Sequence, residues 1–201
     1  MPTFGLYYRI EVKDKNGKVR KRTRWRKAKS WTLQFLQHLE FVTMHAYSGT
    51  HGTFTILDTG NTARNFGVSA MGLSEIFAIR APDDAESYGI ILGTSDQAVQ
   101  NTDYVLIAPI AHGVGIGELD YGASSITTAA VVGANVDLVL SRAFYNGSGA
   151  IITVKEIGIY AACKDDGGVV RYLCVCRDVI APVDILDTET ASAQYTLRTT
   201  V

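Results

Sequence analysis

Few residues in this 201-residue chain are spaced for reaction chemistry. Gly113-Val-Gly-Ile-Gly117 invites a phosphate-cradle reading, but a dinucleotide fingerprint needs G-x-G-x-x-G between a strand and a helix. Here the third glycine comes too early, no P-loop lysine follows, and Glu118-Leu-Asp-Tyr-Gly122 reads as more strand and turn. A tight turn is expected. His38 and His45 stand about 10.5 Å apart if helical, too far to share a metal, and His51 and His112 have no neighbours at ligand spacing. Cys174 and Cys176 with Cys163 offer three thiolates, whereas a structural zinc site takes four ligands and usually C-x-x-C spacing. On one strand face the pair lies roughly 6.6 Å apart, an awkward separation for a disulfide. Small buried hydrophobes are expected at all three. The carboxylates at Asp83, Asp84 and Glu86, at Asp165 and Asp166, and at Asp184, Asp187 and Glu189 match no EF-hand pattern. They read as turn residues, with calcium binding by one cluster as the alternative. No G-x-S-x-G elbow or triad is present. The expectation is a protein that is not an enzyme and holds no cofactor or metal.

One constellation differs. Residues 1–30 hold eleven Lys/Arg against Glu11 and Asp14, while the rest of the chain holds eight against eighteen Asp/Glu. A basic head on an acidic body suggests an anionic partner for the head. The cations also alternate. Phe4, Leu6, Tyr8, Ile10 and Val12 form one face of a strand, and Asn16-Gly17 suits a type I′ hairpin turn. Pairing across that turn sets Val12 opposite Lys21, Ile10 opposite Thr23 and Tyr8 opposite Trp25. Arg9, Glu11 and Lys13 then share the other face with Lys18, Arg20, Arg22, Arg24 and Arg26. Like charges directly opposite destabilise a sheet, so such a face implies a compensating anionic surface. Arg9, Lys18, Arg20, Arg22, Arg24, Arg26 and Trp25 are therefore the candidate partner-binding residues. The alternative is a solvated edge that deters aggregation.

The elements that must carry this face follow from the wider pattern. The composition, 47% hydrophobic and 19% charged with four prolines, is that of a globular chain. No apolar run of about 18 residues suggests a membrane span. The first residues lack the order of a secretory signal, which leads to an expectation of cytoplasmic synthesis. Ser30 can cap an amphipathic helix to about Ala46 through Trp31, Phe35, Leu39, Val42 and Ala46, with Gly49 as its stop. Strands are expected at 53–58, 88–93, 103–110, 116–121, 135–146, 150–162, 168–180 and 192–201, with hairpin turns at 146–149 and 165–168. Residues 59–87 read as loop, with one helical turn near Ser74–Ala78. Many short strands between turns indicate an all-β fold, a β-sandwich or jelly roll at 51–201, with a basic hairpin and helix at 1–50 as a docking segment.

The C-terminal stretches Ser141-Arg-Ala-Phe-Tyr-Asn-Gly-Ser-Gly-Ala150, Ile152-Thr-Val-Lys-Glu-Ile-Gly-Ile-Tyr160, Cys176-Arg-Asp-Val179 and Ala193-Gln-Tyr-Thr-Leu197 resemble a pattern in uncharacterised virion-associated proteins of tailed phages. Gly89–Thr94, Ile110–Gly113 and Leu119–Tyr121 extend the resemblance, which spans residues 88–201. It implies a structural role in a virion and supplies no catalytic residues. The expected function is capsid decoration or cement, with a tail, collar or neck component as one alternative and a carbohydrate- or receptor-binding module as another. Expected partners are other virion proteins and copies of the chain itself, with nucleic acid less favoured and no membrane.

Overall fold

The computed structural model describes residues 3–28, 30–45, 54–66 and 77–200. The chain folds as an all-β sandwich with one short helix, every strand ladder antiparallel. The larger sheet has the order β2 (Val19–Arg22), β1 (Thr3–Lys13), β13 (Thr190–Thr200), β10 (Asn135–Tyr145), β7 (Asp120–Tyr121). Three short strands complete it: β3 (Arg26–Lys27) on β1, and β8 (Ser125–Ile126) and β9 (Ala130–Val132) on β10. The smaller sheet has the order β12 (Val170–Ile185), β11 (Ile152–Lys164), β6 (Gly89–Gly93). A separate hairpin joins β4 (Phe54–Leu57) to β5 (Ala63–Phe66).

Period-two alternation explains the larger sheet. Leu6, Tyr8, Ile10 and Val12 of β1 face inward and are buried, as are Ala191, Ala193 and Tyr195 of β13. Phe4, which shares their parity, is 58% exposed near the strand's start. β1 pairs with β13 along eleven residues, from Thr3 opposite Thr200 to Lys13 opposite Thr190. The expected division near residue 50 therefore runs through one sheet. The first and last strands are neighbours in it.

β11 reads almost continuously buried because it is covered on both faces. Segment 94–110, expected to contain a strand at 103–110, is instead irregular and lies over this sheet. Side chains hold it there. Glu156 accepts the amides of Ile107 (3.2 Å) and Ala108 (2.7 Å), and the Tyr160 hydroxyl accepts that of Leu106. A Cβ at Gly158 would come within 2.5 Å of Leu106 Cδ1, so the close approach requires glycine there.

The helix, α1 (Leu33–His45), starts later than Ser30 suggests. Residues 30–32 first run along the open edge of β12, where Trp31 bridges Cys176 and Thr32 N–H donates to Val175 O. Thr32 Oγ1 then accepts the Phe35 amide as the cap. Trp31 and Phe35 pack against the core as expected, but Gln34 and His38 are buried while Leu39 is 45% exposed, so the packed stripe departs from the expected one beyond Phe35. Ala46, Gly49 and His51, the expected helix end, stop and lone histidine, and residues 74–76 of the expected helical turn lie outside the described residues. Ala78 bridges Ala162. The expected loop 59–87 contains β5, and of 116–121 only Asp120–Tyr121 is strand.

Candidate functional site

The basic hairpin is built by three departures from regular pairing: its tip, a register shift that sets Lys13 opposite Val19 and leaves Arg20 unpaired in the ladder, and a bulge at Arg24-Trp25. At its tip Gly17 N–H donates to Asp14 O, Asp14 N–H donates to Lys18 O, and Gly17 sits at φ +79°. This is a three-residue loop with a left-handed glycine in place of the expected type I′ turn. Asp14 Oδ1 accepts the amides of Asn16 and Lys18 and fixes the loop. Glu11 then faces Arg22 and Val12 faces Lys21, as the sequence predicts. Thr23 N–H donates to Ile10 O, and Ile10 N–H to Thr23 Oγ1. Beyond that point Tyr8 faces Arg26, not Trp25, so both Arg24 and Trp25 stand opposite Arg9. The bulge moves Trp25 to the face of Arg9, whose guanidinium lies 4.5 Å from the indole centroid. Arg24 and Arg26 turn toward the side of Tyr8 and Ile10.

The seven candidate residues consequently divide into groups. Arg20 is committed within the chain. It makes a bidentate pair with the buried Glu189 and donates to Asp184 O at 2.6 Å. Arg22 pairs with Glu11, and Lys21 donates to Pro182 O. The Arg20 and Lys21 contacts lash the β2 edge of one sheet to the end of β12 in the other. Arg9 donates to Gln194 Oε1 at 2.8 Å on the outer face. Lys18, Arg24 and Arg26 are exposed and make no ion pair among the described residues. Arg24 and Arg26 flank a cleft of about 280 Å³ whose floor is Tyr8, Ile10 and Ile180. A smaller cleft of about 190 Å³ lies on the outer face between Tyr7, Trp25, Lys27, Thr196 and Arg198.

Hydrogen bonds from Arg20 hold the Glu189 carboxyl below its usual range, and those from Arg22 do the same for Glu11. Arg198 lowers Asp137 in the same way. A carboxylate whose folded pKa is depressed adds stability that is complete above its unfolded value and disappears as pH falls through the folded one. The melting temperature should therefore be flat from neutrality to about pH 5 and fall below about pH 4. Arg20→Ala should flatten that acid limb. An unchanged pH profile in the variant, followed by circular dichroism, would show that the Arg20–Glu189 pair adds nothing.

Other candidates resolve differently. Cys163, Cys174 and Cys176 are fully buried, and burial pushes the Cys163 thiol up to about 12. Such thiols are protonated at neutral pH and act as core volume. Asp84, His112 and Asp120 bring ligand atoms within 4.8 Å of one another, a grouping that spacing along the chain conceals. His112 Nδ1 accepts the Tyr121 amide at 3.2 Å, which leaves the proton on Nε2, 3.6 Å from Asp84 Oδ1. The imidazole lone pair is thus spent on the backbone.

Sequence reading missed two organisers, Arg142 and Arg177, both buried and aimed inward. For Arg142 the signal is parity. Arg142 occupies an inward position in line with Leu138, Leu140 and Phe144, where alternation calls for an apolar side chain. No protein-family model, curated protein or solved structure matches the chain.

Proposed function

We propose that this chain is a non-catalytic structural subunit that works by packing into a multi-copy protein assembly, for which a tailed-phage particle is the setting its sequence resemblance favours. The observation that carries the reading is the contrast within the hairpin. Arg20 and Arg22 pair with carboxylates in the same chain, while Arg24 and Arg26, two residues apart, flank an apolar-floored cleft and make no ion pair among the described residues. Two adjacent guanidinium groups repel each other, and a carboxylate brought by a neighbour relieves that repulsion with bidentate geometry. Exposed Trp25 and Val19 border the same edge and supply the apolar contact that interfaces favour.

Arg24→Glu with Arg26→Glu should leave the melting temperature within about 2–4 °C of the parent, as expected for exposed groups. Incorporation into particles should be lost, which quantitative mass spectrometry of purified particles reads directly. Normal incorporation of the folded double variant would reduce this face to a solvated edge. Many copies per particle fit a capsid-decorating role, and few fit the tail, collar or neck. A steep salt dependence of DNA binding that the same variant abolishes would transfer the face to nucleic acid.

A second reading has one observation in its favour. The rings of Tyr7 and Trp25 beside Lys27 and Arg198 form an aromatic cleft on the sandwich's outer face, a surface on which a sugar ring could stack. Loss of glycan binding in Trp25→Ala would support it.

A further inference from the structure

We infer that the Arg24–Arg26 cleft is a socket for a second copy of this chain, which enters it with the loop tip carrying Ile116. The inference rests on the assembly reading and specifies the partner.

The socket has an apolar floor of Tyr8, Ile10 and Ile180 and a rim of two unpaired cations. Its occupant should therefore present an apolar knob with an acidic collar. The loop Gly113–Gly117 has that form. Ile116 is 87% exposed and Val114 63%, at the tip of Gly113–Gly117. Beside them stand Glu118, Asp120 and Asp84, none of which pairs with Lys or Arg among the described residues. The tip is stiff. Glu118 N–H donates to Gly115 O, Gly115 N–H donates to Glu118 Oε2, and Gly113 N–H donates to Leu119 O. Asp84 is fixed to the same unit by donating its amide to Tyr121 O. A preformed knob loses little conformational freedom on docking.

Topology makes the contact intermolecular. The socket lies at the β2/β3 edge of the larger sheet and the knob beside β7 at the opposite edge, with β1, β13 and β10 between them. Four strand spacings place the two edges about 19 Å apart, beyond the reach of any side chain. Complementary features on opposite edges of one subunit are satisfied head to tail, so the contact is heterologous and builds rings or filaments.

The test uses two variants of the full chain in sedimentation velocity. The socket variant carries Arg24→Glu and Arg26→Glu, and the knob variant carries Ile116→Asp. All the changes are at exposed positions, and melting curves confirm folding. Parent protein should self-associate with increasing concentration and less at high salt. Each variant alone should associate at least about 30-fold more weakly. An equimolar mixture should recover a 1:1 dimer that grows no further, because only one intact socket and one intact knob remain. Failure of the mixture to dimerise, self-association of either variant at the parent's strength, or parent protein that stays monomeric at millimolar concentration would each overturn the contact. Particle incorporation separates this from the broader reading. Loss in the socket variant with normal incorporation of the knob variant means another protein fills the cleft, which leaves the assembly role standing.

Discussion

Arg142→Met should cost this protein about 4 kcal/mol or more and lower its melting temperature by roughly 8–16 °C. The arginine is 1% exposed on the inner face of β10. All five of its N–H donors are used on backbone carbonyls. Nε donates to Gly122 O, Nη1 to Tyr88 O and Ile90 O, and Nη2 to Pro82 O and Ala85 O, at 2.5–3.3 Å. The guanidinium also lies 4.7 Å from the Tyr121 ring centroid and 5.9 Å from that of Phe144. Burial lowers its pKa, the direction expected of a cation withdrawn from water. Methionine fills much of the space but leaves five carbonyls without their donor. Arg142→Lys keeps the charge but places only three donors on one atom, so it should recover part of the loss. Arg198→Ala, which breaks a partly exposed pair with Asp137, is the control and should cost under about 1 kcal/mol. Thermal denaturation decides it: equal effects at Arg142 and Arg198 would refute the organising role.

The second large effect is expected at Glu156. Its carboxylate and the Arg177 guanidinium are both 0% exposed, 2.8 Å apart. Arg177 also reaches Asp103 Oδ2 and Gln97 O, and Glu156 holds the Ile107 and Ala108 amides. Together the two residues lash segment 94–110 to the smaller sheet. Glu156→Ala leaves a buried cation half compensated and two amides without acceptors, at a cost of about 3–5 kcal/mol. Hydrogen exchange at Ile107 and Ala108 should accelerate with the global loss. Glu156→Ala with Arg177→Met should cost clearly less than the two single substitutions summed, since neither charge is then stranded. Strict additivity would mean that the pair does not act as a unit.

Both organisers show why sequence reading reached only part of the candidate site. An arginine in a strand advertises charge, and charge suggests solvent or a partner. What Arg142 and Arg177 bind is mostly backbone carbonyl, with the carboxylates of Glu156 and Asp103, from residues 20 to 80 positions away, and no local pattern records that. The hairpin shows the same limit on a smaller scale. Alternation paired Arg22 with Glu11 correctly, but a register shift between Val12 and Lys13 sets Val19 opposite Lys13 and takes Arg20 out of that face. The partner of Arg20 proved to be Glu189, 169 residues away in the same chain.

The sequence by itself determined the all-β class, the inward faces of β1 and β13, the hairpin tip at Asn16-Gly17 and the pairing of Glu11 with Arg22. Each of these depends on period-two alternation or turn chemistry within a few residues. Tertiary structure decided which cations are free. The bulge at Arg24-Trp25 shifts the register by one residue and exchanges the faces of Trp25, Arg24 and Arg26, a change invisible without the partner strand. It also decided that the basic and acidic features sit at opposite edges of one sheet, because strand order depends on which elements bury each other's apolar faces and not on their order along the chain.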